Sequence, residues 1–111
     1  EERKMIQETT LREPGSSPAA RILTKALDIL DERGKEYEQA HGERSMARTV
    51  EIFFAVTHIR LTEYEGWKFM QCLKLARQAA GAPKIDSFID SINYEALAAE
   101  CALHPSSKEP V

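Results

Sequence analysis

Apolar residues that recur every three or four positions are the feature that most constrains how this chain can fold. The first such segment, "SSPAARILTKALDILDERGKEYEQAHG", begins where Ser17 can cap a helix and Pro18 suits its first turn. Gly34 interrupts the segment, and Gly42 is its predicted end. The period predicts an amphipathic α-helix with an apolar stripe formed by Ile22, Leu23, Ala26, Leu27 and Leu30.

Two further segments follow the same period. "ERSMARTVEIFFAVTHIRL" is rich in β-branched and aromatic residues, but it lacks the alternation of a strand, so a helix is predicted. "TEYEGWKFMQCLKLARQAAG" opens with a capping box of Thr62 and Glu65 and is followed by Gly81 and Pro83. Its apolar residues lie nearly all round, which is typical of a central helix that is buried on several sides or shared with a second subunit.

The fourth segment, "KIDSFIDSINYEALAAECALH", has two distinct faces on one predicted helix. The predicted core face consists of Ile85, Phe88, Ile89, Ile92, Ala96 and Ala99. The neighbouring, more polar face consists of Asp86, Asp90, Asn93, Leu97 and Glu100.

Together the four segments predict one all-α domain over residues 17–104, a four-helix bundle-like fold. Short connecting loops favour antiparallel neighbours. The polar residues 1–16 and the segment 105–111 are predicted to be flexible tails. A chain of 111 residues is long enough for a single hydrophobic core.

Composition narrows the partners that this chain is expected to have. The net charge of -3 argues against a protein that coats nucleic acid. No apolar run approaches the roughly 20 residues that a membrane span needs. Cys72 and Cys101 lack a C-x-x-C spacing, so they are predicted to be the buried free thiols of a cytosolic protein.

Asp86 and Asp90 are four residues apart, so both carboxylates project from one side of the predicted fourth helix. Asn93 lies one turn further on. Two carboxylates and an amide oxygen are hard ligands that suit Mg²⁺, with Mn²⁺ as a substitute. The alternative is a solvated stripe, in which Asp86 simply stabilises the helix N-terminus.

Lys74 and Arg77 lie near the end of the predicted third helix, one tight loop before the two aspartates. We expect the cations to lie close to the carboxylates across a helical hairpin. They could bind phosphate groups, or they could form an interhelical salt bridge. Further upstream, Arg33 and Tyr37 belong to a charged stretch that is either a solvated helix face or part of the same site.

These motifs, taken in order, resemble a family of small phage and prophage proteins related to MazG. The pattern is an Arg-x-x-x-Tyr stretch, a helix ending in K-x-x-R, and a D-x-x-x-D helix that continues to a tyrosine. The matching residues cover about residues 22–101 and are Arg33, Tyr37, Lys74, Arg77, Asp86, Asp90, Asn93 and Tyr94.

The resemblance implies an all-α fold of the MazG type, completed by formation of a homodimer or a higher oligomer. It also implies hydrolysis of nucleoside triphosphates to monophosphate and pyrophosphate, with Mg²⁺ held by helix carboxylates. Relative to the MazG pattern, this chain lacks E-E-x-x-E and keeps only Glu51 in a comparable helix. D-x-x-x-D stands where E-x-x-D is expected.

Two functions are therefore expected. In the first, the protein is a Mg²⁺-dependent nucleotide pyrophosphohydrolase or a nucleotide-binding protein. Asp86 and Asp90 would be catalytic and would hold the metal together with Glu51. The residues expected to bind substrate are Lys74, Arg77, Asn93, Tyr94, Arg33 and Tyr37. In the second, a non-catalytic phage accessory protein binds a host protein or a nucleotide signal.

Overall fold

Four α-helices make up the secondary structure in the computed structural model, which describes residues 17–35 and 45–105. Helix α1 spans Pro18–Arg33, α2 spans Ser45–Thr57, α3 spans Glu63–Ala79 and α4 spans Ile85–Leu103. The described residues contain no β-strand, so the predicted all-α, bundle-like fold is confirmed. The predicted N-terminal tail and most of the predicted C-terminal tail lie outside the described residues.

The starts of α1 and α3 follow from the capping residues in the sequence. The Ser17 hydroxyl accepts a hydrogen bond from the Ala20 amide at 3.1 Å, and Pro18 occupies the first turn of α1. At α3, the Thr62 hydroxyl accepts from the Glu65 amide, while the Glu65 carboxylate accepts from the Thr62 amide. Both orphan amides are satisfied, as the capping box predicts.

Helix α2 ends earlier than its predicted segment. His58 has a φ of 63°, a left-handed conformation that a helix cannot continue through. Its amide donates to the Phe54 carbonyl at 2.7 Å, which closes the last turn. The residues up to Leu61 therefore form the connection to α3, and the predicted helical pattern over Ile59–Leu61 is wrong.

The α3–α4 hairpin is the most extensive packing contact in the fold, and polar side chains run along one seam of it. Gln71 donates to the Ser91 hydroxyl at 3.4 Å, and Gln78 donates to the Ser87 carbonyl at 3.3 Å. Nearer the other end, Lys68 pairs with Glu95. That hydrogen bond to the Glu95 carboxylate raises the pKa of Lys68 above its ordinary value. These contacts set the antiparallel register of the two helices.

The hydrophobic core lies where all four helices meet. Trp67 of α3 stacks on Tyr94 of α4, with ring centroids 5.6 Å apart. Helix α1 contributes Leu30 from the edge of this cluster. The buried members of the cluster are Met46, Val50, Trp67, Leu97 and Ala98.

Within this single chain, the central helix is α4 rather than α3. Helix α3 buries only Gly66 and Trp67, and its Phe69 remains 69% exposed. Helix α4, which packs on both α3 and α1, buries Ile89, Ser91, Asn93, Leu97 and Ala98. The first alternative for the third segment, a helix buried on several sides of one chain, is therefore wrong. For the same reason the Cys72 side chain on α3 is exposed rather than buried, while the Cys101 side chain is half-buried.

The core face predicted for α4 also needs correction. Ile85 and Phe88 are 50% and 40% exposed, whereas Asn93 and Leu97 of the predicted polar face are buried with Ile89. The physical reason is that α1 packs over the stripe formed by Ile89, Asn93 and Leu97, where the Asn93 amide finds a backbone partner. A polar residue with a fixed partner can occupy a core position that a purely apolar pattern does not predict.

In the part of the chain that the structure describes, no helix is both long enough and apolar enough to span a bilayer.

Gly66 lets α2 approach α3 closely. A β-carbon at this position would overlap the Met46 side chain and lie 3.2 Å from Cγ1 of Val50. We expect Gly66→Leu to lower the free energy of unfolding by about 2 kcal/mol, because the added atoms force α2 away. Ala76→Leu, at an exposed position of the same helix, is the matched control and is expected to change it by less than about 0.5 kcal/mol. Urea unfolding measures both, and equal stabilities of the two variants would contradict this packing.

Candidate functional site

A cavity of about 700 Å³ lies between the end of α1, the end of α3 and the start of α4. Two predicted motifs meet at this cavity because the tight α3–α4 turn folds the fourth helix back along the third. Gly81 supports the turn with a φ of 132°, a conformation that side-chain-bearing residues rarely adopt. The residues that line the cavity and bear charge are Arg33, Lys74, Arg77, Lys84, Asp86 and Asp90.

Positive charge exceeds negative charge around the cavity. Among the described residues, four cations, Arg33, Lys74, Arg77 and Lys84, face two carboxylates, so their formal excess is four minus two, or two positive charges. Each cation comes from a different place: the end of α1, the body and last turn of α3, and the residue that precedes α4. Cations that are held close together repel one another. An anion that enters the cavity offsets this repulsion and is therefore attracted.

Lys74 and Asp90 form the salt bridge that joins α3 to α4 inside the cavity wall. Their charged atoms are 3.0 Å apart, and the side chains are only 14% and 19% exposed. The predicted proximity of the K-x-x-R and D-x-x-x-D motifs is therefore present in the structure. The pair neutralises one cation and one carboxylate of the cavity.

The remaining cavity cations have no such partner in residues 17–35 and 45–105. Among the described residues, no ion pair involves Arg33, Arg77 or Lys84. Arg77 and Lys84 are exposed, and Arg33 is half-buried, so all three keep contact with solvent. A ligand that enters the cavity would meet guanidinium and ammonium groups that are not already engaged by carboxylates of the described chain.

The N-terminus of α4 opens into the same cavity. Lys84 is its N-cap residue and provides no side-chain hydrogen bond to the first turn, so the first amides lack the usual side-chain acceptor. Asp86 lies in this first turn and is exposed. Its carboxylate is favourable beside the positive end of the helix dipole, which is the alternative that the sequence left open.

Three of the predicted site residues lie away from the cavity lining. Asn93 is buried and donates its amide to the Ala26 carbonyl at 2.9 Å. Tyr94 is held in the core by its stacking on Trp67. Glu51 lies on α2, where it pairs with Arg60 at 3.5 Å. The side chains of all three are therefore placed by packing or by local pairing, and Tyr37 lies outside the described residues.

The carboxylates do not fit a Mg²⁺ site built from protein ligands alone. Over residues 17–35 and 45–105, no three acidic, histidine or cysteine side chains are grouped as metal ligands. Asp90 is paired with Lys74, and Glu51 does not reach the cavity. Asp86 is the one cavity carboxylate without an ion pair among the described residues, and one carboxylate suffices only when phosphates and water supply the other ligands.

Sequence reasoning did not identify Lys84 or Ser87 as cavity residues. Lys84 directly precedes the predicted helix start and follows the Gly81–Pro83 turn, which places it beside Asp86 in the structure. Its position at a helix start next to two motif residues was visible in the sequence. The contribution of Ile29, which lines the apolar side, depends on how α1 packs and carried no comparable pattern.

Asn93 is expected to act on stability rather than on ligand binding. Asn93→Ala removes a buried hydrogen bond, so we expect the free energy of unfolding to fall by about 1–3 kcal/mol. Asn93→Asp sets a carboxylate against the Ala26 carbonyl oxygen and should be worse at neutral pH than at about pH 4, where the protonated acid can donate. Glu100→Ala, an exposed position of α4, serves as the control in urea unfolding at both pH values. Wild-type stability of Asn93→Ala would contradict this role.

Comparison with known proteins adds a family to this geometry. A family model described as a domain of unknown function (DUF6378) matches residues 21–102, a range that includes every described charged residue of the cavity. Neither the curated proteins nor the solved structures contain a significant match. Because the match spans most of its length, the chain is a member of the DUF6378 family.

Proposed function

We propose that this protein binds the phosphate groups of a nucleotide in the cavity between α1, α3 and α4. The observation that carries the proposal is the convergence of Arg33, Arg77 and Lys84 on one cavity without partner carboxylates among the described residues. Phosphate oxygens are the natural complement, because arginine binds them through two parallel hydrogen bonds and lysine through a point charge.

The start of α4 supports the same ligand class. Lys84, Asp86 and Ser87 at this helix start line the cavity, the N-cap residue supplies no side-chain acceptor, and the positive end of the helix dipole adds to the attraction for an anion. Ser87 lines the cavity in this turn and offers a hydroxyl donor. The combination of backbone donors with three cations favours a multiply charged anion over a single carboxylate.

The MazG-like order of motifs supports a nucleotide as the source of the phosphates. Lys74, Arg77, Asp86 and Asp90, which carry the more specific part of that resemblance, all line the cavity. A Mg²⁺ ion that accompanies a nucleoside triphosphate could take Asp86 as a ligand and the phosphates as others. Binding is proposed ahead of hydrolysis because the described carboxylates do not make a metal centre on their own.

A homo-oligomer is part of the proposal. Large apolar side chains are exposed on α3 and α4, among them Leu75 at 49% and Leu103 at 73%. Exposed apolar area of this extent marks an interaction surface in a small protein. This exposure agrees with the remaining prediction for α3, that the helix is shared with a second subunit.

The phosphate site is tested by removing its free cations. Arg77→Ala and Lys84→Ala are each expected to weaken binding of nucleoside triphosphates by about tenfold, because each loses a charge-assisted contact. Arg48→Ala is the matched control, since Arg48 is an exposed helical arginine on α2 that does not line the cavity. Isothermal titration calorimetry with each triphosphate measures the affinities. An equal loss of triphosphate affinity in all three variants, or no binding by the wild-type protein, would contradict the proposal.

Asp90→Asn separates a phosphate site from a metal site. In a site made by cations, the substitution frees Lys74 and removes a repulsive carboxylate, so triphosphate affinity without Mg²⁺ should rise about three- to tenfold. If Asp90 instead holds a metal, affinity in the presence of Mg²⁺ should fall. Glu95→Gln removes the partner of Lys68 outside the cavity lining and is the control.

Hydrolysis is tested on the same proteins. Each nucleoside and deoxynucleoside triphosphate is incubated with Mg²⁺ or Mn²⁺, and pyrophosphate release is measured. Turnover that Asp86→Asn abolishes would add pyrophosphohydrolase activity to the binding function. Binding without turnover would identify a nucleotide-binding member that does not act on its ligand.

A further inference from the structure

An uncovered apolar stripe runs along the outer side of α4, opposite the helices on which α4 packs. It consists of Ile85, Phe88, Ile92, Ala96, Ala99 and Leu103, of which Ile92 and Ala99 are half-buried, and Glu95, which pairs with Lys68, borders it. Ile85, Phe88 and Leu103 are 50%, 40% and 73% exposed. The spacing of three and four residues keeps all six on one face of the helix.

The stripe has a bulky half and a small half. Ile85 and Phe88 stand before Ile92, and Ala96 and Ala99 stand after it. The positions are symmetric about Ile92: Phe88 and Ala96 are each four residues away, and Ile85 and Ala99 are each seven residues away. When a second α4 is laid antiparallel with Ile92 opposite Ile92, Phe88 meets Ala96 and Ile85 meets Ala99, while the two Ile92 side chains meet at the axis.

We propose that this stripe is the dimer interface of the protein, formed by two α4 helices that pair antiparallel across a two-fold axis at Ile92. A two-fold interface requires a surface that complements itself, and the order of large and small residues along α4 meets that requirement. A parallel pairing would set Phe88 against Phe88 and leave gaps between alanines, so the same sequence disfavours it.

The area available suits a dimer that dissociates at low concentration. Helix α4 has 19 residues and is about 28 Å long. Leu75 of α3 widens the face: it lies two turns from Lys68, on the side of α3 that reaches Glu95, and it is 49% exposed. A face of this length and the width of about two helices covers on the order of 600 Å² per chain. The total, on the order of 1,200 Å², lies at the lower limit for stable interfaces.

The proposed dimer leaves the two cavities independent. Asp86 and Asp90 lie on the α1 side of α4, away from the stripe, and antiparallel pairing sends the two helix starts in opposite directions. The dimer deepens the oligomer part of the proposed function but does not depend on nucleotide binding. Variants of the stripe should therefore leave triphosphate affinity unchanged.

The test is a size swap across the two-fold axis. We expect wild-type protein to change from monomer to dimer between about 1 and 100 μM in sedimentation analysis. Phe88→Ala should weaken the dimer at least tenfold through lost burial. Ala96→Phe should do the same, because two phenylalanine rings would then compete for the space of one. The double variant F88A/A96F should return to within about threefold of wild type, because each phenylalanine again meets an alanine.

The control variant lies outside the α4 stripe, so it should not affect the proposed dimer. Phe69→Ala removes an exposed aromatic side chain of α3 outside the stripe and should leave the dimer unchanged. Circular dichroism and thermal unfolding establish that each variant is folded. A wild-type chain that stays monomeric at about 100 μM, as expected if another protein covers the stripe, overturns the proposal. So does a dimer that the single variants leave intact, or a double variant that does not recover.

Discussion

The hydrogen bond from the buried Asn93 amide to the Ala26 carbonyl is the contact on which the arrangement of helices depends. If the residue at position 93 were apolar, α4 could pack against α1 at several rotations about its axis. The Asn93 amide must reach the Ala26 carbonyl, and this requirement fixes one rotation. That rotation brings Ile29 and Arg33, one and two turns further along α1, over the start of α4. The cavity therefore exists because a polar group in the core has one permitted partner.

A second constraint acts through the α3–α4 hairpin. The salt bridge between Lys74 and Asp90 is sheltered from solvent, so each charge depends on the other for compensation. It holds the ends of the two helices in register beside a turn that Gly81 makes possible. The same bridge removes Lys74 and Asp90 from the set of groups that are free to meet a ligand. Binding and architecture share these residues, which explains why the charge of the cavity is set by Arg33, Arg77 and Lys84.

Helical periodicity and capping residues predicted the four helices, since both are local properties of the chain, but they did not predict that α2 ends before His58. The pairing of Lys74 with Asp90 was also predictable, because a short turn forces the two helices it joins to lie side by side. What could not be predicted was which face of α4 would be buried. The two faces of α4 have similar apolar content. Which face is buried depends on the hydrogen bond from Asn93 to the distant Ala26 carbonyl on α1. The same limit explains why Tyr94, which matches a family motif, stacks on Trp67 in the core.

The uneven attachment of the four helices has a consequence for how the protein unfolds. Helix α4 packs on two neighbours, whereas α2 packs mainly on α3 around Gly66 and exposes Ile52 and Val56 on its far side. Opening α2 therefore removes fewer buried contacts than opening α4. Backbone amides of α2 should exchange with solvent through local openings, while those around Ile89 and Leu97 should exchange only when the whole domain unfolds. Ile89, which lines the cavity, thus belongs to the part of the described chain that opens last.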